Sequence, residues 1–306
     1  MDSLRILSNL WDLQIDGVDV HALGSNVNSS HRNAVLKWLF ESLELLKVGD
    51  RVFFATVLLA DRFCVTFQPR RLLEGSELQL VILSALCCSL KVVDSSLELT
   101  VKAFLEHVSG GHVDPRDIFA TEAKILQALD FTTFHPSLST FIESFYYAIT
   151  LPPSLEGKAH PLEQPYPPHE LPGWALKHQQ LAVFLLFLSV FDFKHLHTRR
   201  PSELVSACII TSGLALTSET DPAAPNLDEI STLLFRCKWI DQATDVALLV
   251  AELTTFWKGC LEEPSEATRS VFSLFDTPER LHVSRMNPKH YSRRSSPAPG
   301  IIASGG

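Results

Sequence analysis

Four charged side chains lie where a helix should be apolar, and they are the strongest candidates for chemistry in this sequence. Glu122 follows Ile118 by four residues and precedes Ile125 by three, so these residues share one helical face. Burial of an unpaired carboxylate is costly. Glu122 therefore needs either a cation within the chain or hydrogen-bond donors from another molecule.

The other three charges show the same pattern. Asp61 lies four residues after Val57, and Arg32 lies four residues before Leu36, so both charges face apolar neighbours. Lys91 ends a long apolar run, at a helix terminus where the helix dipole favours a cation. The four positions thus supply two acids and two bases.

The simplest pairing joins Arg32 to Asp61 and Lys91 to Glu122. Either pair can be an internal ion pair that holds helices in register. For Lys91 and Glu122 the alternative is a position at the protein surface, because Lys91 ends one helix and Glu122 lies on the helix that packs beside it. There the pair would offer a donor and an acceptor to a second protein.

No residue pattern indicates catalysis or a bound cofactor. The sequence has no Gly-rich phosphate loop and no HExxH or GxSxG motif. Its twelve histidines lack cysteine or carboxylate partners at metal-ligand spacing. We therefore expect no enzyme activity, no metal site and no cofactor.

Apolar periodicity predicts an all-α protein, since helical spacing dominates and alternating strand patterns are scarce. Two capping signals support the helix starts: Asp114 followed by Pro115, and Asn226 followed by Glu229. The predicted helices cover residues 30–46, 50–66, 76–91, 97–108, 115–130, 137–150, 173–196, 202–217, 227–236 and 241–261.

A segment with seven prolines, 151–172, divides these helices into two groups. Each group contains one helix that is apolar almost all round, 78–90 in the first and 204–216 in the second. Such a helix must be enclosed by other helices. We predict two tandem five-helix repeats, each wrapped round a buried third helix, with a single irregular helical domain as the alternative.

Composition excludes several classes of protein. A net charge of -9 disfavours a chain that wraps nucleic acid. Six cysteines without paired spacing are typical of buried thiols in a reducing compartment. The longest apolar run, 181–191, is shorter than the roughly 20 residues that span a bilayer. We expect a soluble intracellular protein that binds neither nucleic acid nor membrane.

Residues 32–131 resemble the cyclin box. The segments that carry the resemblance are HRNAVLKWL, LLADRF, LQLVILSALCCSLK and TEAKILQALDF, and PSLSTFIESF is similar to the opening of a second cyclin repeat. The positions most characteristic of the box are filled by Arg32, Asp61, Leu80, Lys91 and Glu122.

The resemblance implies a regulatory subunit of a cyclin-dependent Ser/Thr kinase. In that family, the lysine and glutamate at the positions of Lys91 and Glu122 hydrogen-bond to the kinase backbone beside its C-helix. This contact pushes the C-helix inward so that the active-site Lys–Glu ion pair forms. Arg32, Asp61 and Leu80 would have structural roles in the box.

The resemblance also implies a substrate-docking groove for RxL-type peptides of substrates or inhibitors. Here His31, Ala34 and Val35 replace the family's Met, Ile and Leu, which makes the groove shallower and more polar. Trp38 is alternatively a core aromatic. The predicted groove residues are Ala34, Val35, Trp38, Glu41, Leu78 and Gln79.

The predicted domains are an N-terminal segment 1–29, a first cyclin box 30–133, a second cyclin-like repeat 134–265 with the Pro-rich insert 151–172, and a disordered basic tail 266–306. Within the tail, Thr277 and Ser296 precede prolines and resemble proline-directed phosphorylation sites. Arg293 and Arg294 favour nuclear import, so we expect the protein in the nucleus and the cytoplasm.

Two functions remain open at this point. The box residues favour a cyclin that binds and activates a kinase in cell-cycle control. The Pro-rich insert and the altered groove favour instead a cyclin-fold scaffold or transcription-type adaptor that does not activate a kinase.

Overall fold

The computed structural model describes residues 2–14, 18–66, 71–93, 108, 113–133, 135–150, 171–192, 199–217, 224–240 and 243–289. These residues form helices and no strand, so the all-α prediction is confirmed. The predicted helix 97–108 lies outside the described residues except for Val108. The α-helices of the described part are α1 (Asp2–Leu13), α2 (Val20–Asn26), α3 (Ser29–Leu45), α4 (Asp50–Thr66), α5 (Gly75–Val93), α6 (Pro115–Ala128), α7 (Leu138–Thr150), α8 (Gly173–Val190), α9 (Pro201–Leu216), α10 (Leu227–Arg236), α11 (Ala243–Glu262) and α12 (Glu266–Phe275).

The predicted caps set the starts of α6 and α10. The Asp114 side chain accepts a hydrogen bond from the Arg116 N–H, and Pro115 takes the first position of α6, where no N–H is needed. Asn226 and Glu229 form a reciprocal capping box at α10, with both hydrogen bonds at 2.9 Å. Local chemistry therefore determines where these helices begin.

Helix α5 is the centre of the first group of helices, and α3, α4 and α6 pack against it. Every residue from 81 to 90 is buried. The Ser84 hydroxyl donates to the Ile118 carbonyl at 3.0 Å. The backbone of α6 can come this close to α5 because the serine side chain is small. The predicted central helix is thus confirmed in this group.

Helix α9 has the same place in the second group, where α7, α8, α10 and α11 pack against it. Gly213 permits a close approach of α10 to α9, because a Cβ atom there would lie 2.6 Å from Leu227 Cδ2 at the start of α10. The prediction of two bundles, each round a buried third helix, is confirmed.

The two bundles are joined at the C-terminal end of α8. Arg32 Nη1 donates to the Val190 carbonyl at 2.8 Å, and Asn33 Nδ2 donates to the Phe191 carbonyl at 3.2 Å. Terminal carbonyls of a helix lack partners within the helix, and a cation suits this end of the helix dipole. Helix α8 ends at Val190, whereas the sequence predicts it to continue to residue 196.

The N-terminal segment is helical and packs on the second bundle. Helix α1 contacts α7, the Trp239 indole donates to the Leu7 carbonyl at 2.8 Å, and the Ser202 N–H donates to Gln14 Oε1 at 3.2 Å. Helices α1 and α2 are not predicted by the apolar periodicity of the sequence.

The C-terminal segment contradicts the prediction of a disordered tail over 266–306. Residues 266–289 contain α12 and two short 3₁₀ helices, Pro278–Arg280 and Val283–Arg285. Phe275 is fully buried against Phe184 and Phe187, and Phe272 packs on Phe184. Burial of these aromatic rings offsets the cost of ordering the segment. Residues 290–306 lie outside the described part of the chain.

Helix α5 is also the one helix of the described residues that passes a length and hydropathy test for a membrane span, over Gly75–Val92. It is enclosed by α3, α4 and α6. Central helices of helical bundles pass the same test, so this is weak support for a span.

Candidate functional site

The last turn of α5 and the middle of α6 bring Lys91 and Glu122 together. The two helices pack side by side. The cap at Asp114 starts α6 in a register that turns Ile118, Glu122 and Ile125 toward α5, and all three are buried. The apolar face recognised in the sequence thus also orients the carboxylate.

Lys91 Nζ donates to Glu122 Oε1 at 2.5 Å, which confirms the predicted pairing. The two side chains differ in exposure: 46% for Lys91 and 11% for Glu122. The pair lies at the surface of the bundle, but only its cation is widely open to solvent. The sequence-based expectation of partial exposure is therefore met mainly by Lys91.

The environment keeps Lys91 protonated at neutral pH. Partial burial by itself lowers the pKa of Lys91, but the hydrogen bond and the charge of Glu122 outweigh burial and raise the pKa overall. The ammonium has three N–H donors; one bonds to Glu122 Oε1, and the Cys87 sulfur is a second neighbour of the ammonium. Donors remain available on the solvent side.

Phe119 extends the site with an exposed apolar surface. Its ring centroid lies 5.8 Å from Lys91 Nζ, a cation–π distance, and its side chain is 41% exposed. Val92 is exposed as well. Phe119 is absent from the sequence-based site, although its position three residues before Glu122 placed it on the neighbouring surface of α6.

Cys87 contacts the other oxygen of Glu122. Its Sγ donates to Glu122 Oε2 at 3.2 Å, and the side chain is fully buried. Burial, followed by the hydrogen bond to Glu122, raises the pKa of the Cys87 thiol to about 12, so the thiol keeps its proton. Sequence reasoning missed Cys87, although it lies one helical turn before Lys91.

The second predicted pair is buried and belongs to the framework. Arg32 donates from Nε to Asp61 Oδ1 at 3.1 Å and from Nη2 to Asp61 Oδ2 at 2.7 Å. With Nη1 on the Val190 carbonyl, all three guanidinium nitrogens have acceptors, and the side chain is 1% exposed. Leu80 is partly buried against the core. Arg32 and Asp61 are therefore closed to a partner.

The predicted groove residues do not all reach an open surface. Ala34 is exposed on α3, Val35 and Trp38 are partly buried against the core, and Gln79 is half-buried on α5. Leu78 is 2% exposed and belongs to the core.

The acid of the groove, Glu41, is engaged within the chain. Ser270 of α12 donates to Glu41 Oε1 at 2.7 Å, and Lys37 Nζ lies 3.3 Å from the same oxygen. Lys37 also pairs with Glu266 at 3.1 Å. Helix α12 therefore lies along the side of α3 that carries Glu41.

Of the two predicted phosphorylation sites, only Thr277 lies within the described residues. Thr277 is half-buried directly before a 3₁₀ helix, and its carbonyl accepts hydrogen bonds from the Arg280 and His282 N–H groups. Ser296 lies outside the described residues, as do Arg293 and Arg294. In the part of the chain that the structure covers, no group of three or more His, Cys, Asp or Glu residues is arranged to hold a metal.

Comparison with known proteins finds a matching domain and a similar fold. Residues 5–133 match the family model for the cyclin N-terminal domain, a span that begins in α1 and ends after α6. The fold is similar to that of a viral cyclin from herpesvirus saimiri, with a TM-score of 0.54 over 82% of this chain and 90% of the viral chain at 15% identity.

Two plant proteins are similar in sequence. Cyclin-A3-2 of Arabidopsis thaliana is 29% identical over 126 residues, which is 41% of this chain and 32% of that protein. Putative cyclin-F3-2 of Oryza sativa subsp. japonica is 23% identical over 221 residues, 72% of this chain and 46% of that protein. The chain thus spans less than half of either relative. The matched domain over residues 5–133 and the helical architecture make this chain similar to cyclin-box proteins.

Proposed function

We propose that this cyclin binds and activates a cyclin-dependent Ser/Thr kinase in cell-cycle control, as a regulatory subunit without catalysis of its own, in the nucleus and the cytoplasm. The observation that carries the proposal is the preformed Lys91–Glu122 pair, whose ammonium is exposed beside an exposed aromatic ring. The localisation rests on Arg293 and Arg294 alone.

The pair suits recognition of a helix and its flanking backbone. Lys91 can donate its remaining N–H groups to backbone carbonyls of the kinase, and Glu122 can accept from an N–H as its carboxylate becomes covered. Phe119 and Val92 supply the apolar contact that removes water from these hydrogen bonds. Because the side chains are already held in place, little ordering is needed on binding.

In the activating step, the cyclin surface holds the C-helix of the kinase in its inward position. The active-site Lys–Glu ion pair of the kinase then forms, and this pair is required for phosphoryl transfer. A surface that binds the inward state more tightly than the outward state shifts the kinase toward activity.

The test is a panel of cyclin-dependent kinases in which the affinity and the phosphotransfer rate are both measured. Lys91→Ala combined with Glu122→Ala should weaken binding by roughly 100-fold and abolish activation, since both residues lie in a desolvated contact. The matched control is Lys258→Ala combined with Glu262→Ala, which removes an exposed lysine–glutamate pair on α11. The control should bind and activate as wild type does.

Activation by the Lys91/Glu122 double variant at the wild-type level would overturn the assigned mechanism. Tight binding of a kinase by the wild type without any increase in phosphotransfer would favour the scaffold or adaptor function instead.

The proposed function also includes docking of RxL-type peptides in the groove that carries Glu41. Because Ser270 and Lys37 already engage Glu41, a peptide arginine must compete for that carboxylate, and we expect weak docking. Phosphorylation of a substrate with an RxL segment should then exceed that of a scrambled substrate only slightly. Trp38→Ala should remove that small difference.

A further inference from the structure

Cys87 is an internal hydrogen-bond partner of the Glu122 carboxylate. The two oxygens of Glu122 have separate donors: Oε1 takes the Lys91 ammonium, and Oε2 takes the Cys87 thiol. Cys87 and Lys91 are one helical turn apart on α5, so a single helix face supplies both donors. A carboxylate bonded at both oxygens is held against rotation.

We propose that Cys87 is a positioning residue of the Lys91–Glu122 pair, and this inference rests on the proposed kinase-binding function. The thiol holds Oε2 on the interior side, so that Oε1 and the Lys91 ammonium face the partner. Cys87 does not touch the kinase, because it is fully buried in the central helix.

The thiol suits this role better than an apolar side chain of the same size. A carboxylate that is 11% exposed loses most of its water, and each oxygen left without a donor is costly. A thiol is a weak donor that needs little desolvation, so it can satisfy Oε2 in an otherwise apolar helix. The raised pKa of Cys87 keeps the donor proton in place.

Three variants separate positioning from packing. Cys87→Ser keeps a donor and should bind the kinase within about twofold of wild type. Cys87→Ala removes the donor and should weaken binding roughly 3- to 10-fold. Cys208→Ala is the matched control, because Cys208 is an equally buried thiol in α9, the central helix of the other bundle, and should leave kinase binding unchanged.

A double-mutant cycle supplies the decisive comparison. In a Glu122→Ala background, Cys87→Ala should change kinase affinity by less than about twofold, because the carboxylate that the thiol positions is gone. An undiminished effect of Cys87→Ala in that background, or a loss as large in Cys87→Ser, would assign Cys87 to packing and overturn the proposal. Thermal unfolding of each variant confirms that it is folded.

A second readout needs no kinase. The S–H stretching band of Cys87, isolated by the infrared difference between wild type and Cys87→Ala, should lie at a lower frequency in wild type than in Glu122→Ala, because the hydrogen bond weakens the S–H bond. Equal frequencies would show that the contact is absent and overturn the proposal. A wild-type protein that binds no kinase but shows the shifted band would overturn the proposed function while leaving the Cys87–Glu122 contact established.

Discussion

At the scale of single residues, two acid–base pairs with similar sequence signatures have different environments. Arg32 and Asp61 are buried, and every N–H-bearing nitrogen of the guanidinium has an acceptor. Lys91 and Glu122 lie at the bundle surface with the ammonium exposed. Full satisfaction suits a framework role, whereas spare donors suit binding to another molecule.

The buried pair should be sensitive to the loss of one partner. Arg32→Met leaves Asp61 as an uncompensated buried charge and also frees the Val190 carbonyl, so we expect a loss of about 3–5 kcal/mol in the free energy of unfolding. Combining Arg32→Met with Asp61→Leu should recover part of that loss. Denaturant unfolding measures the free energy of unfolding of the single and the double variant.

The exposed Lys258 offers a control for the same experiment. Lys258→Met should change the unfolding free energy by less than about 1 kcal/mol, because surface ion pairs contribute little. Equal losses for Lys258→Met and Arg32→Met would contradict the framework role of Arg32.

At the scale of helices, α8 and α9 are joined by a polar contact inside an apolar interface. His178 of α8 is 5% exposed, and its Nε2 lies 2.9 Å from the Ile209 carbonyl in α9. A neutral imidazole with the proton on Nε2 donates this bond. Its ring also packs edge-on against Tyr146 of α7, so three helices meet at one side chain.

This contact should make stability depend on pH. Burial lowers the pKa of His178 to about 4, although its bond to Ile209 acts in the opposite direction. Between about pH 6.5 and 4 the unfolded chain binds the proton more tightly than the folded chain, so stability falls as pH falls through this window. The full contribution is about 3 kcal/mol.

His178→Gln tests this dependence, since the amide can still donate to the Ile209 carbonyl but does not titrate. The unfolding free energy of the variant should decline less steeply than that of wild type as the pH is lowered from 7 to 4. His21→Gln, at an exposed histidine, should follow wild type. Parallel curves for wild type and His178→Gln would refute the prediction.

At the scale of the whole molecule, the C-terminal segment closes over the junction of the two bundles. Arg280 donates to both oxygens of Asp50 at 2.8 Å, and its Nη1 also lies 3.2 Å from Gln180 Oε1 of α8. The guanidinium lies over the Phe275 ring, 4.9 Å from its centroid. One side chain thereby links the start of α4 to α8 and to α12.

Arg280 should therefore be coupled energetically to Asp50. In a double-mutant cycle of Arg280→Ala and Asp50→Asn, we expect a coupling of roughly 1–2 kcal/mol in unfolding free energy, because the pair is bidentate and mostly shielded from solvent. Hydrogen exchange in α12 should also become faster in Arg280→Ala.

Arg285 supplies the comparison, because it pairs with Asp276 in an exposed setting within the same segment. Arg285→Ala should leave the exchange rates of α12 close to those of wild type. If hydrogen exchange in α12 were equally faster in Arg280→Ala and Arg285→Ala, the proposed role of Arg280 in joining α4, α8 and α12 would be contradicted.

The sequence alone determined the local structure. Apolar periodicity and the caps at Asp114 and Asn226 predicted helices α3 to α11, the two enclosed central helices and the pairing of the four misplaced charges, because side chains one turn apart share a face whatever surrounds them. The cyclin-box segments likewise predicted the similarity to the cyclin family.

Only the tertiary structure decided what covers each face. Periodicity shows which side of a helix is buried but not which element buries it, so the Cys87 thiol on Glu122, the ring of Phe119 beside Lys91 and the bond of Arg32 to the end of α8 could not be read from spacing. For the same reason, the segment around Arg280 looked disordered. The two phenylalanines of this segment and Arg280 become ordered because α3, α4 and α8, distant in sequence, supply their partners.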